Sequence, residues 1–303
     1  MAFIVKTKVA RLHASDVKKI KRFELIEEIK KNKVLRYFWG LIKKKHFSNP
    51  PESLQTSSTK IHIIYRHVFI FNDAARFPSK GRPEGFSYKL CFENLLETIA
   101  ASKYQDNIKI TIFYNGTLNQ FDSDDSLQIA KKFCTDINVQ LIDANSALQS
   151  VMIMLRECKN LDLNNDDILY ILENDYIHDK NWIESALGVF NSGLRFDYLS
   201  LYDHPDRYRF PKNYKNSNLY IGGKRHWVTA QSTCGSFMTR FSTFKRDFKY
   251  IYSCNSDHKM FSVLTKKLGR VLITPVPGLA LHCMRDYLDQ IKNFEDYFRA
   301  NEE

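Results

Sequence analysis

The sequence lacks three features that would assign it to a membrane or secreted class. No apolar run approaches the roughly 20 residues that a membrane-spanning helix needs. Residues 1–6 contain too short an apolar stretch for a secretory signal. The six cysteines include no C-x-x-C pair, which favours reduced, buried thiols over a disulfide framework or a zinc site. We therefore expect a cytoplasmic protein.

The sequence also lacks any recognised nucleic-acid-binding motif, although its formal net charge is +11. The charge is concentrated in one segment. Residues 1–60 contain fifteen Lys or Arg against five Asp or Glu, and the remaining residues contain 30 basic against 29 acidic side chains. Because the rest of the chain is nearly neutral, we expect no nucleic-acid partner.

Residues 1–58 are predicted to form a basic helical N-terminal extension and linker, ahead of a main domain at 59–303. The extension contains an aromatic, apolar patch around Tyr37 and Trp39 that is bracketed by lysine clusters. Such a composition is typical of an interfacial membrane anchor and predicts an anionic membrane surface as a partner of residues 1–45. A helical hairpin that packs the same aromatic side chains on the main domain is the alternative.

After the linker, strand and helix patterns alternate, which predicts an α/β domain with a mostly parallel sheet flanked by helices. The predicted strands are 61–68, 108–114, 139–143, 168–172, 196–202 and 227–240, and a last strand begins at 271 and runs into a Pro-Gly loop that reaches His282. The predicted helices are 88–102, 126–133, 146–161, 181–190 and 256–269.

The most informative stretch is a short apolar strand that ends in acidic residues. Residues 168–172 have the composition of a buried strand, and Glu173, Asn174 and Asp175 follow directly. Ligands of open α/β sheets bind at this carboxyl edge. Two carboxylates two residues apart can point the same way and hold a hard divalent cation. A solvated turn or a helix start is the alternative.

GT-A-type glycosyltransferases, including the family 2 type, hold a metal ion at an apolar strand that ends in Glu-Asp-Asp or Asp-X-Asp. The stretch 168–175 of this chain resembles that metal site. This chain keeps the outer carboxylates and has Asn174 in the middle, where an aspartate should be tolerated because it restores the usual acid. The resemblance spans residues 61–285 and implies a GT-A-like, Rossmann-type sheet. It also implies Mn²⁺ or Mg²⁺, held by Glu173, Asp175 and His282 on the diphosphate of a nucleotide-sugar, with a UDP-sugar as the favoured donor.

The resemblance implies donor contacts as well. Arg66 and Asn115, at the ends of the first two predicted strands, are candidates, together with Glu173 and Gly235, which lies in a stretch of small residues. The alternatives are an ion pair between Arg66 and an acidic neighbour, and a plain turn at Asn115 and Gly116.

The catalytic base implied by the resemblance is Asp257, at the start of the helix predicted at 256–269. Asp203, in the turn after the strand predicted at 196–202, is the second candidate, and His204 and Asp206 of the same turn could also position the acceptor hydroxyl or act as base. A plain turn is the alternative for these three residues. The alternative for Asp257 is structural, because the helix dipole favours an acidic residue in the first turn whatever the function.

The resemblance thus implies a metal-dependent, inverting, hexosyltransferase-like glycosyltransferase that acts on a glycan or lipid-linked acceptor in surface polysaccharide or glycolipid biosynthesis. We expect it in the cytoplasm, peripheral on the cytosolic membrane face. A sugar nucleotidyltransferase of the same fold should carry a glycine-rich loop after its first strand, but residues 74–85 contain only Gly81 and Gly85. A third interpretation is a catalytically inactive GT-A-like protein that binds a glycan or nucleotide, since Asn174 replaces the middle acid of the motif.

Overall fold

The computed structural model describes residues 4–11, 59–68, 81–133, 135–214 and 217–288. Strands and helices alternate through the main domain, which confirms the predicted α/β class. The strands are β1 (Ile4–Arg11), β2 (Ile61–Val68), β3 (Ile108–Asn115), β4 (Asp136–Asp143), β5 (Ile168–Glu173), β6 (Tyr176–His178), β7 (Tyr198–Leu199), β8 (Leu219–Gly222), β9 (Arg225–Thr229), β10 (Phe237–Arg240), β11 (Leu272–Pro275) and β12 (Ala280–His282). The α-helices are α1 (Tyr88–Ala101), α2 (Leu118–Asp122), α3 (Asp125–Gln128), α4 (Ala147–Lys159), α5 (Trp182–Phe190), α6 (Asp206–Arg209), α7 (Phe241–Ile251) and α8 (Asp257–Leu268).

Within the described residues, ten strands form one sheet in the order β1-β4-β3-β2-β5-β10-β7-β11-β9-β8. The first five strands in that order pair in parallel and form a Rossmann-type half. Of the nine pairings, five are parallel and four antiparallel. The sheet is therefore mostly parallel, as predicted.

Helices cover both faces of this sheet. Helices α1 and α5 pack on one face, where Phe92 and Trp182 are fully buried. Helices α4, α7 and α8 pack on the other face, where Phe244 and Phe261 are fully buried. Strands covered on both sides are nearly all apolar, which explains why the central segment β5 reads as a continuous hydrophobic run.

The described part of the N-terminal extension contains a strand that the sequence pattern does not predict. This strand, β1, pairs in parallel with β4 at the edge of the sheet. Residues 12–58, with the predicted helix and the aromatic patch, lie outside the described residues, so the membrane anchor and the boundary at residue 58 stay predictions. Among the described residues, every helix is too short or too polar to cross a bilayer.

One predicted strand is divided in two, and the Pro-Gly loop predicted before His282 is followed by a further short strand. The segment 227–240 becomes β9 and β10, and the residues between them form a loop that carries Gly235 in the left-handed region at φ 81°. The segment 271–282 becomes β11 and β12, and β12 pairs with β6 in a separate two-stranded sheet. Both arrangements place polar residues at the edge of the main sheet.

A buried carboxylate stabilises the C-terminal half. Asp247 on α7 is 1% exposed and accepts hydrogen bonds from Arg270 at 2.7 and 2.8 Å, from Arg246 and from the Tyr198 hydroxyl. Burial alone would raise the pKa of Asp247, but the hydrogen bonds from Arg270 and Arg246 outweigh burial and lower that pKa. The carboxylate is therefore ionised and paired in the folded state.

We expect Asp247→Ala to lower the free energy of unfolding by about 3–5 kcal/mol, because it leaves the buried guanidinium of Arg270 without its carboxylate. Asp136→Ala is the control: its ion pair with Lys109 is about half exposed, so the loss should stay below about 1 kcal/mol. Since the folded pKa of Asp247 is lowered, the stabilisation is complete above the unfolded pKa and is lost as pH falls towards the folded pKa. Urea denaturation at several pH values measures both effects, and equal losses in the two variants would contradict them.

Candidate functional site

A cavity of about 670 Å³ lies at the carboxyl edge of β2 and β5. Its walls come from α4, the end of β5, the loop between β9 and β10, the start of α8 and the turn after β12. Both its position and its volume are typical of ligand sites in α/β proteins. The predicted site residues that line it are Arg66, Glu173, Gly235, Asp257 and His282.

Arg66 and Glu173 meet because the parallel pairing of β2 and β5 places them opposite each other. The guanidinium Nη2 of Arg66 donates to Glu173 Oε1, and both side chains are mostly buried. The ion pair that was the alternative interpretation of Arg66 is thus present, and it lies in the cavity wall. A ligand that contacts Arg66 would have to compete with Glu173.

Gly235 allows the Glu173 carboxylate to lie against the loop backbone. A Cβ atom at Gly235 would lie 2.7 Å from Cδ of Glu173, closer than real Cβ contacts. The positive φ of 81° also disfavours any residue with a side chain. Gly235 is therefore required by its surroundings and by its backbone conformation.

Asp257 presents its carboxylate to the same cavity. One oxygen accepts the N–H of Gly235 at 3.0 Å and the other accepts the N–H of His258 at 2.7 Å. Burial raises the pKa of Asp257, and the nearby charge of Glu173 raises it further. The N-cap of α8 is Ser256, whose hydroxyl accepts the N–H of Lys259, so Asp257 is not needed as the capping residue.

Asp175 and His282 form a second buried group beside the cavity. The pairing of β6 with β12 sets His282 opposite Tyr176, whose ring stacks on the imidazole at 4.9 Å. His282 Nε2 lies 3.4 Å from Asp175 Oδ2, and that oxygen also accepts a 2.9 Å hydrogen bond from Arg82. Neither ring nitrogen of His282 has a hydrogen-bond partner among the described residues.

The predicted three-residue metal site is only partly assembled. In the described part of the chain, no three His, Cys, Asp or Glu side chains lie together as a metal-binding group. Glu173 is directed towards Arg66 and Gly235 instead. Asp175 and His282 do come together, and a buried imidazole nitrogen without a partner beside a carboxylate fits two protein ligands of a divalent cation.

Two predicted residues have structural contacts and are not among the residues lining the cavity. Asn115 bridges to the chain after β4: its amide donates to Ala144 O, and its carbonyl accepts the Ala144 N–H, both at 2.9 Å. Asp203 is fully buried and accepts hydrogen bonds from Arg207 Nε at 3.0 Å and from the Tyr208 hydroxyl. This geometry gives no support to Asn115 as a donor contact or to Asp203 as a base.

The structure adds residues that sequence reasoning missed. Thr233 lines the cavity, and its buried hydroxyl has no hydrogen-bond partner in the described residues, so it can serve a ligand. Arg82 holds Asp175 from a loop rich in Pro, Gly and Lys. Neither residue carries a sequence signal, because its role depends on contacts with distant segments. Asp206, which the sequence already offers as a base in the same turn as Asp203, does line the cavity.

No protein-family model and no curated protein sequence matches the chain. Its fold is similar to that of S. aureus TarS 1–349 (11% identity, TM-score 0.43, 71% of this chain and 58% of that one). It is also similar to the mannosyltransferase PcManGT from Pyrobaculum calidifontis in complex with GDP-Man and Mn²⁺ (13%, 0.45, 86% and 66%). A third similar structure is the inositol-1-phosphate CTP transferase from T. maritima (10%, 0.38, 81% and 96%).

Glycosyltransferases are thus among the solved structures of similar fold, as the resemblance of the sequence predicts. The chain spans less than two thirds of the length of the first two. At these identities the similarity concerns the fold alone, so the function has to be argued from the site.

Gly235→Ala tests the packing of the cavity wall, and Gly193→Ala is its control outside the cavity. The positive φ alone, 81° and 75°, should cost each variant about 1–2 kcal/mol of stability. A Cβ at Gly193 meets nothing within 4 Å, whereas one at Gly235 meets the Glu173 carboxylate. We therefore expect a clearly larger loss for Gly235→Ala in chemical denaturation. Equal losses would mean that Glu173 moves aside freely.

Proposed function

We propose that the chain is a nucleotide-sugar-dependent glycosyltransferase that works with a divalent cation and inverts the anomeric centre. The observation that carries this proposal is the Asp257 carboxylate, fixed by two backbone N–H groups in the cavity that also contains Arg66 and His282. A proton acceptor, a fixed positive charge and an imidazole in one cavity meet the needs of sugar transfer from a nucleoside diphosphate.

In this mechanism Asp257 acts as the general base. The acceptor hydroxyl oxygen would attack the anomeric carbon while the bond from that carbon to the diphosphate oxygen breaks, and the hydroxyl proton would pass to Asp257. A single displacement of this kind inverts the anomeric configuration. The two N–H donors hold the carboxylate in one orientation, and Arg66, which lines the same cavity, would contact the departing phosphate.

Asp175 and His282 would hold the cation, Mn²⁺ or Mg²⁺, which when bound neutralises charge on the leaving nucleoside diphosphate. Stacking on Tyr176 fixes the plane of the imidazole, and Arg82 orients the carboxylate of Asp175. Such fixed ligands lose little conformational freedom on binding. Glu173 would remain in the cavity wall beside Arg66.

The favoured donor is a UDP-sugar that carries a hexose, and the acceptor a glycan or lipid-linked glycan in surface polysaccharide or glycolipid assembly at the cytosolic membrane face. Support for the membrane comes from the basic, aromatic sequence within residues 1–45. The glycine-poor segment at 74–85 argues against a nucleotidyltransferase, although residues 69–80 lie outside the described part of the chain.

Asp257→Asn should lower turnover by about 10² to 10⁴-fold with a much smaller change in donor binding, because the amide keeps the size but cannot accept a proton and gives up one of the two backbone N–H contacts. Since burial raises the pKa of Asp257, the wild-type rate should fall at a higher pH than for an exposed aspartate as the base becomes protonated. Steady-state kinetics across pH measure both. Ser256→Ala, which removes the cap of α8, is the control for stability alone. Normal turnover in Asp257→Asn would move the role to Asp206.

His282→Phe should abolish stabilisation by Mn²⁺, because phenylalanine keeps the stack on Tyr176 and removes the ligating nitrogen. The ring nitrogens have no hydrogen-bond partner in the described residues, so the melting temperature without metal should change little. His204→Phe, in the same cavity, is the control. Thermal shifts with Mn²⁺ alone, and with Mn²⁺ and UDP-sugars, measure this, since a ligand at 100 times its dissociation constant adds about 2.7 kcal/mol. An unchanged shift in His282→Phe would remove it from the cation site.

A further inference from the structure

Two consecutive residues at the end of β2 bind two consecutive residues at the end of β5. Successive side chains of a strand point to opposite faces of the sheet. Arg66 binds Glu173 on the cavity side. His67 binds Asn174, whose amide nitrogen lies 3.1 Å from Nδ1 of the imidazole. The middle residue of the acidic stretch is thus held from the side away from the cavity.

His67 is held in place by burial and by contacts with neighbouring side chains. It is 2% exposed, and its ring lies nearly parallel to the rings of Tyr65, at 6.2 Å, and Tyr114, at 5.8 Å. Its Nε2 lies 3.1 Å from Oδ2 of Asp124, which is 6% exposed. Asp124 also accepts the Tyr114 hydroxyl at 3.1 Å and the N–H of Ser126 at 3.0 Å. Both the ring plane and the carboxylate are therefore fixed by several contacts.

These contacts determine which nitrogen carries the proton. An ionised carboxylate only accepts, so Nε2 of His67 must carry the hydrogen that binds Asp124. In a neutral imidazole the other nitrogen, Nδ1, is then an acceptor. The amide of Asn174 can supply the required N–H to a neutral His67, whereas an ionised aspartate at this position only accepts and would require a second proton on the imidazole. With a neutral His67, the chain of hydrogen bonds therefore favours an amide at position 174.

We propose that Asp124, His67 and Asn174 form a positioning relay that holds the end of β5, so that Glu173 and Asp175 keep their places on either side of Asn174. All three are positioning residues, and the inference rests on the proposed function for its consequence in donor binding. It reverses the expectation from the family resemblance, in which an aspartate at position 174 restores the usual acid and is tolerated.

Two variants of His67 separate the halves of the relay. In His67→Asn the side-chain oxygen takes the place of Nδ1 and still accepts from Asn174. In His67→Gln the amide nitrogen takes the place of Nε2 and still donates to Asp124. Loss of one hydrogen bond corresponds to about a 3- to 10-fold weaker affinity. We expect His67→Gln, Asn174→Ala and Asn174→Asp to raise the KM for the donor by this factor with little change in kcat, and His67→Asn to stay closer to the wild type.

The double variant His67→Gln/Asn174→Ala should be no worse than either single variant, because each removes the same interaction. Additive losses, or a normal donor KM in Asn174→Asp, would overturn the relay.

The ¹⁵N chemical shifts of His67 in the wild-type protein give a readout that does not require activity. They should report a proton on Nε2 and a hydrogen-bonded, unprotonated Nδ1, and a proton on Nδ1 alone would also overturn the proposal.

Donor binding by the wild-type protein and the tautomer of His67, measured separately, distinguish a failure of this inference from a failure of the proposed function. If UDP-sugars with Mn²⁺ do not bind the wild-type protein in calorimetry, the proposed function fails. The tautomer of His67 and the non-additivity of the same variants in urea denaturation then still decide whether the relay exists. If donor binds normally but the tautomer is wrong, the relay alone fails.

Discussion

The in-register parallel pairing of β2 with β5 is the constraint on which the site depends. Six consecutive residue pairs, from Ile61 with Ile168 to Arg66 with Glu173, fix the register of two strands whose isoleucines are buried. A slip of one residue would turn every side chain of β2 to the opposite face. Arg66 would then leave the cavity and His67 would enter it. The burial of the isoleucines in the core therefore determines the charge of the cavity wall.

The pairing of β6 with β12 brings distant parts of the chain together beside the cavity. The chain reverses after Glu173 into β6, and β12 adds to β6 from more than a hundred residues further along. That small sheet sets His282 beside Asp175. The loop between β9 and β10 adds Gly235 against Glu173 from a third direction. Loops from separate parts of the fold thus meet at one sheet edge, where the rigid strands fix their ends.

The sequence predicted what depends on local pattern. Strands β2 to β5 and helices α1, α4 and α8 follow from hydrophobic periodicity and caps, and five residues that the family resemblance selected line one cavity. Contacts between distant parts of the chain have no local signal. Asp203 reads like an exposed turn residue, but Arg207 and Tyr208 enclose it. Asn115 reads like a ligand residue, but it bridges two chain segments. Strand β1 lies in a lysine-rich segment whose pairing with β4 has no local signature.

The charges at the end of β5 are balanced in pairs, Glu173 with Arg66 and Asp175 with Arg82. A cation that binds Asp175 alone would compete with Arg82, and a phosphate that binds Arg66 alone would compete with Glu173. Either ligand by itself would weaken an ion pair in a partly dehydrated site, where an unpaired charge is costly. A cation and a diphosphate that arrive together bring charges of both signs and leave none of the four side chains without a counter-charge. Under the proposed function, this arrangement favours joint binding of metal and nucleotide-sugar over binding of either alone.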